Sequence, residues 1–284
     1  MRAMTDRTTS SPPLSRRFHL VLLHLAEEAR RDLDVLTSRP ARAIHALRTR
    51  MKNLRALLLL VKPRVPKPAR KAVTTLAMGL KDSFSEQRDA QVIATLSAKF
   101  SSLGGSASSQ KPAPQNDGAT RSAKSAASSL IRMVSKLGLD GLTWSDVFDG
   151  YLESYRAGRK AMKACVRGQT PKSFHKWRRP VKDLFYQSQV LQPLDGMKHR
   201  RSAAERLGDR LGEMNDLQLL HGTAKKNGKK HALKDIERQQ RALKPSVFKA
   251  ATKLFRERPR EIERALNRCV KFQPTLAAQA VRQT

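Results

Sequence analysis

RAIHALRTRMKNLR, residues 42–55, decides how this chain is read. Arg42, His45, Arg48 and Lys52 stand three, six and ten positions along, which at 3.6 residues per turn gathers them within about 120° of a helix surface. Beside that row, Ile44, Leu47, Met51, Leu54 and Leu58 recur at helical spacing. The segment is therefore a helix that buries one flank and carries fixed cations along the adjoining one. The pattern then returns. In KSFHKWRRPVK, residues 172–182, Lys172, His175, Arg178 and Lys182 hold the same offsets 130 positions downstream, with Phe174, Trp177, Val181 and Leu184 as the apolar stripe.

A second landmark recurs in the same order. Glu86, Asp89 and Gln91 are matched by Glu213, Asp216 and Gln218, in each case on the helical segment that follows the basic motif. Two landmarks repeated in order imply a duplicated helical unit, and helices joined by short loops pack as antiparallel bundles. No strand alternation is evident, so the fold class is all-α.

Gly, Pro and Ser clusters place the breaks. A first helix fits 14–36, with Leu20, Leu23 and Val35 among its apolar positions, and the motif helix runs from Pro40 to about Val61. Pro63, Pro66 and Pro68 end it, and one long helix is expected over 69–100, with Leu76, Leu80, Phe84 and Val92 as core positions. Residues 101–129, dominated by Ser, Ala, Gly and Pro, read as a flexible linker, so deleting 105–125 is expected to matter little. The second half, 130–272, is expected to hold helices over 144–165, 171–191, 198–223, 230–243 and 246–272. Thr170 and Pro171 form an N-cap and N1 pair ahead of the second motif. Residues 1–13 read as a disordered N-terminus and 273–284 as a tail.

Lys and Arg number 57 against 24 Asp and Glu in 284 residues, a formal charge of +33 spread over both halves. That balance points to a polyanionic partner rather than to a fold. Aromatic residues make up only 5% of the chain, and no nucleic-acid motif is recognisable, which weighs against base stacking and groove reading. Nonspecific nucleic-acid binding stays as the alternative. Cys165 and Cys269 are too few and too far apart for a disulfide framework or a cysteine metal site, so a reducing, cytoplasmic setting is expected. The N-terminal segment lacks an apolar core and the longest apolar run is short, so neither secretion nor a membrane partner is expected.

At Ile44 to Arg48 with Lys52, Leu54 and Arg55, at the Arg88-Asp89 pair, and at Leu211 to Leu217 the sequence resembles the CHAD family, the α-helical domain named for its histidines. The resemblance covers almost the whole chain, from about Leu14 to about Phe272. It implies two antiparallel four-helix bundles related by a pseudo-two-fold axis, and a basic cavity and surface that bind inorganic polyphosphate, with attachment to polyphosphate granules. It implies no catalysis, no metal and no cofactor. Carried over residue by residue, it assigns phosphate contacts to His45, Arg48, Lys52 and Arg55 in the first motif and to His175, Arg178 and Lys182 in the second. Arg42, Arg88, Lys172 and Arg179 complete the candidate set. The second copy departs from the pattern: Phe185 and Tyr186 replace Arg55 and Ala56, and Pro180 falls inside the helix, where it is expected to produce a kink.

These residue types suit the ligand. Polyphosphate offers no base to stack and no groove to read, so a receptor needs closely spaced, rigidly held cations. Arginines fork onto phosphate oxygens, lysines act as point charges, and histidines donate N–H groups more strongly once protonated. Asp89 and Asp216 are expected to orient neighbouring Arg and Lys side chains. The competing reading makes them metal ligands with His45 and His175 for phosphate-bond hydrolysis, which needs several converging carboxylates. Trp177 is expected in the core, and Lys225, Lys226, Lys229 and Lys230 as a loop of nonspecific attraction.

Overall fold

Both motif segments are helices with their apolar stripes inward. Ile44, Leu47, Met51, Leu54 and Leu58 are buried, as are Phe174, Trp177, Val181 and Leu184. The structure, a computed structural model, describes residues 12–97 and 117–272. Its elements are all helical: α1 (Leu14–Asp34), α2 (Pro40–Leu60), α3 (Lys67–Asp82), α4 (Ser85–Ser97), α5 (Asp117–Ser135), α6 (Trp144–Gly168), α7 (Pro171–Val190), α8 (Met197–Lys226), α9 (Lys230–Leu254) and α10 (Pro259–Phe272). Among the described residues no helix is long and apolar enough to cross a membrane.

Helix α1 packs on α2 and α5, and α3 packs on α2 and α5. Beyond them α6 lies against α7, α7 against α8 and α8 against α9, while α2 meets both α6 and α7. One apolar core runs from Phe18 to Leu266 through both groups of helices, with a small satellite around Leu220 and Ile236 between α8 and α9. The two motif helices therefore lie side by side at the centre, which is what allows residues 130 positions apart to share a site.

Four local features set this arrangement. Thr143 and Asp146 form a reciprocal capping box at the start of α6, and the same Asp146 accepts from Arg64 at 2.8 Å, pinning α6 beside the end of α2. Gly150 lets α6 approach α2 closely, since a Cβ there would fall 2.1 Å from the Leu60 carbonyl oxygen. Thr170 caps α7 by accepting from the Ser173 amide at 3.2 Å, with Pro171 at N1, as the sequence indicates. The α7 helix continues through Pro180 to Val190.

Several expected boundaries shift. Residues 117–129, assigned to a linker, form most of α5, which buries Ala123, Ala127, Leu130 and Val134 against α1 and α3. Small residues misled the composition argument, because a helix in a tight groove needs Ala rather than bulky side chains. The expected helix over 69–100 breaks at Ser83 and Phe84, and Phe84 turns into the core. Pro245 does not divide the chain: α9 runs through it to Leu254, and the break falls before Pro259. On α1 the buried face is Phe18, Val21, Leu22, Leu25 and Leu33, whereas Leu20 and Val35 are exposed. The expected N-terminal disorder over 1–11, the linker over 101–116 and the tail over 273–284 lie outside the described residues.

Candidate functional site

Helices α2, α4, α7 and α8 border an open cavity of about 630 Å³. From α2 come Arg42, His45, Arg48 and Lys52, which are the whole first motif row; α4 adds Arg88, α7 adds Arg178 and α8 adds Asp216. Five Lys and Arg side chains thus converge on one hollow whose described lining contains a single carboxylate.

Each cation is held differently. Arg48 donates from Nη1 to the Lys81 carbonyl at 2.7 Å, which fixes its guanidinium across the α2–α3 contact. Arg88 is gripped by Asp89 at 2.8 Å and by Asp216 at 3.6 Å, so the two landmark carboxylates converge on one arginine and tie α4 to α8. Arg178 runs past Gly212, where an added Cβ would sit 3.4 Å from its Nη2, and its buried Nε has no hydrogen-bond partner. Lys52 has no ion-pair partner among the described residues, and burial together with the neighbouring Arg178, Arg48, Arg88 and Lys81 pushes its ammonium down to about 7. Burial likewise lowers Arg48 and Arg178 from the ordinary guanidinium value. The cavity is a site of mutual cationic repulsion held in place by a packed scaffold.

The second motif does not build an equivalent of this site. Only Arg178 joins the first cavity. Lys172 and His175 line a separate hollow of about 520 Å³ between α7, α8 and α9, with Asn215, Gln218, Gln240 and Lys244; His175 donates from Nδ1 to Asn215 Oδ1 at 2.7 Å. Lys182 passes Gly208 to reach Asp209 at 3.1 Å and lies over the Phe185 ring. Arg179 is exposed and lines neither hollow; its charged neighbours are Arg55 and Asp183.

Arg55 departs furthest from expectation. It is buried, pairs with the buried Asp183 of α7, and lines neither cavity. The physical reason is its angular position: three residues beyond Lys52, it falls on the α2 face pressed against α7, where an unpaired charge would be costly. Beside it Gln187 donates to the Ala56 carbonyl and to Ser154 Oγ, both at 2.9 Å, so the α2–α6–α7 junction is a buried polar seam.

Sequence reasoning missed Gly208 and Gly212, Lys81, and Val92, which lines the cavity rather than the core. The two glycines left a signal, a four-residue spacing on α8 that opens lanes for long side chains from α7. Trp177 is core as expected, fully buried and stacked on Phe248. Among the described residues no group of three or more His, Cys, Asp or Glu comes together in a way that could hold a metal ion.

A family model described as CHAD domain matches residues 19–225, which takes in α2, α4, α7 and α8 and every residue of the cavity. No curated protein and no solved structure matches the chain.

Proposed function

The chain belongs to the CHAD domain family, and from that premise we propose that it binds inorganic polyphosphate without transforming it, in the cavity between α2, α4, α7 and α8. One observation carries this reading. Arg42, Arg48, Lys52, Arg88 and Arg178 converge where their charges repel, and the scaffold supplies one carboxylate in return. Such a cluster costs stability in the empty protein, and a ligand rich in phosphate oxygens reverses the sign of the interaction. The role that follows is attachment to polyphosphate granules in the cytoplasm. Two antiparallel four-helix bundles related by a pseudo-two-fold axis belong to the same reading; what supports it is a two-part division, with α1, α2, α3 and α5 in mutual contact, α6, α7, α8 and α9 packed in series, and α2 against α7 between them.

The lining also speaks against phosphate-bond hydrolysis, because Asp216 is engaged with Arg88 and His175 lies in the other hollow. Titrating the protein with polyphosphate of defined lengths across a salt series, with duplex DNA at equal phosphate concentration, tests the binding proposal. Five contacts to a flexible single-stranded polyanion predict a log–log salt slope of roughly −3.5. Polyphosphate should displace DNA. If DNA displaces polyphosphate instead, the site is a nucleic-acid surface, and release of orthophosphate in the presence of a divalent metal would overturn the noncatalytic part.

A further inference from the structure

We propose that Lys52 is a self-acylating residue, modified by small acyl phosphates whose phosphate group is seated by Arg48, Arg88 and Arg178. The geometry separates Lys52 from two of the other cations of the cavity, and among the five it alone is an amine. Arg48 is anchored on the Lys81 carbonyl and Arg88 on two carboxylates, whereas Lys52 has no anionic partner among the described residues. The cations that face it come from four helices, Arg48 on its own helix, Lys81 from α3, Arg88 from α4 and Arg178 from α7, with His45 and one carboxylate, Asp216 of α8, in the same lining. An amine placed there sheds its proton near neutral pH and becomes a nucleophile, the device by which a desolvated lysine beside other cations is activated. The three guanidinium groups bind the phosphoryl dianion of an acyl phosphate, whose charge they exceed so that Lys52 keeps its neutral form, and they stabilise the orthophosphate that leaves. The cavity, at about 630 Å³, has room for a small acyl phosphate beside the lysine.

The step balances without a further reactant. The Lys52 Nζ lone pair attacks the acyl carbonyl carbon, and the carbon–oxygen bond to phosphate breaks with its electron pair leaving on the phosphate oxygen. The amine proton passes to solvent or to the departing phosphate. The products are an N-acyl-lysine and orthophosphate. Acylation removes one cation from the cavity, so on the polyphosphate reading it would also release that ligand.

The test uses the full chain with acetyl phosphate at pH 8, following acetylation at each lysine by peptide mass spectrometry. Lys52 should react at least about tenfold faster than the exposed Lys225 and Lys226, because most of its amine is neutral at that pH and the guanidinium groups around it seat the phosphate of the reagent. The preference should shrink with an acetylating ester that carries no phosphate, and in R178Q after its helical content has been checked. Equal rates at Lys52, Lys225 and Lys226 with acetyl phosphate would overturn the proposal, as would an undiminished preference with the phosphate-free reagent. Polyphosphate binding measured separately on unmodified protein distinguishes this failure from that of the binding reading.

Discussion

Arg55 of α2 and Asp183 of α7 form a buried ion pair across the junction of the two motif helices, 128 positions apart in sequence. Burial pushes the Asp183 carboxyl up, against the pull of the Arg55 guanidinium. Breaking such a pair leaves one charge stranded in the core, which costs about 3–5 kcal/mol. R55A or D183A should therefore show a large loss in urea unfolding. R55M/D183L should recover most of it, since replacing both partners by packed apolar groups is often close to neutral. A loss in the double variant as large as in the singles would mean that the pair is not the main contribution at this junction.

Arg48 and Arg178 enter the cavity from the two motif helices, one fixed by the Lys81 carbonyl and the other threading past Gly212. R48E/R178E removes two phosphate forks and adds two repelling charges. Charge-assisted hydrogen bonds contribute about 1.5–3 kcal/mol each, so affinity for polyphosphate should fall by at least about 100-fold. Circular dichroism should show unchanged helical content, because neither side chain belongs to the buried apolar stripe. Unaltered affinity would remove both motif helices from the site.

Periodicity made the motif helices, their buried stripes and the α7 cap legible, because a 3.6-residue pattern and an N-cap are local properties. The cation row on α2 was legible for the same reason. The repeat was a poorer guide, since identical spacing does not specify which neighbour a side chain meets. Arg178 faces the cavity, Lys182 meets Asp209, and Arg55 meets Asp183 through packing between distant segments. Helix α5 was illegible because composition reports what a segment contains and not the groove that receives it.

That groove gives the third prediction. Deleting residues 105–125 removes the first half of α5 and with it Ala123, which packs against the α1 and α3 side of the core. Exposing the α1 and α3 surfaces that this part of α5 covers should lower the melting temperature markedly, whereas deleting 105–115 leaves α5 whole and should change it by little. Equal melting temperatures for the two deletions would show that the N-terminal turns of α5 contribute nothing to the core.

Lys52 couples the cavity to pH. Its ammonium is pushed from 10.5 down to about 7 by burial and the cations around it, and a bound polyanion restores the charged form. Binding then takes up a proton above pH 7, so polyphosphate affinity should weaken from pH 7 to 9 with a slope approaching tenfold per unit at most. K52R, which keeps its charge throughout, should flatten that limb. Stability runs the other way. Between pH 7 and 10.5 the unfolded chain holds a proton at this position that the folded chain has lost, so the contribution of Lys52 to stability improves as pH rises through that window. Burying the charged form is therefore most costly at pH 6. K52M should stabilise the protein there by about 1–2 kcal/mol, discounted because the side chain is only partly buried, or roughly 2–6 °C in melting temperature. The gain should fade towards pH 10, and the same variant should bind polyphosphate more weakly at every pH below 7. A K52M protein that melts no higher at pH 6 than at pH 10, relative to the parent, would show that Lys52 is not held in the cavity against the repulsion of its neighbours.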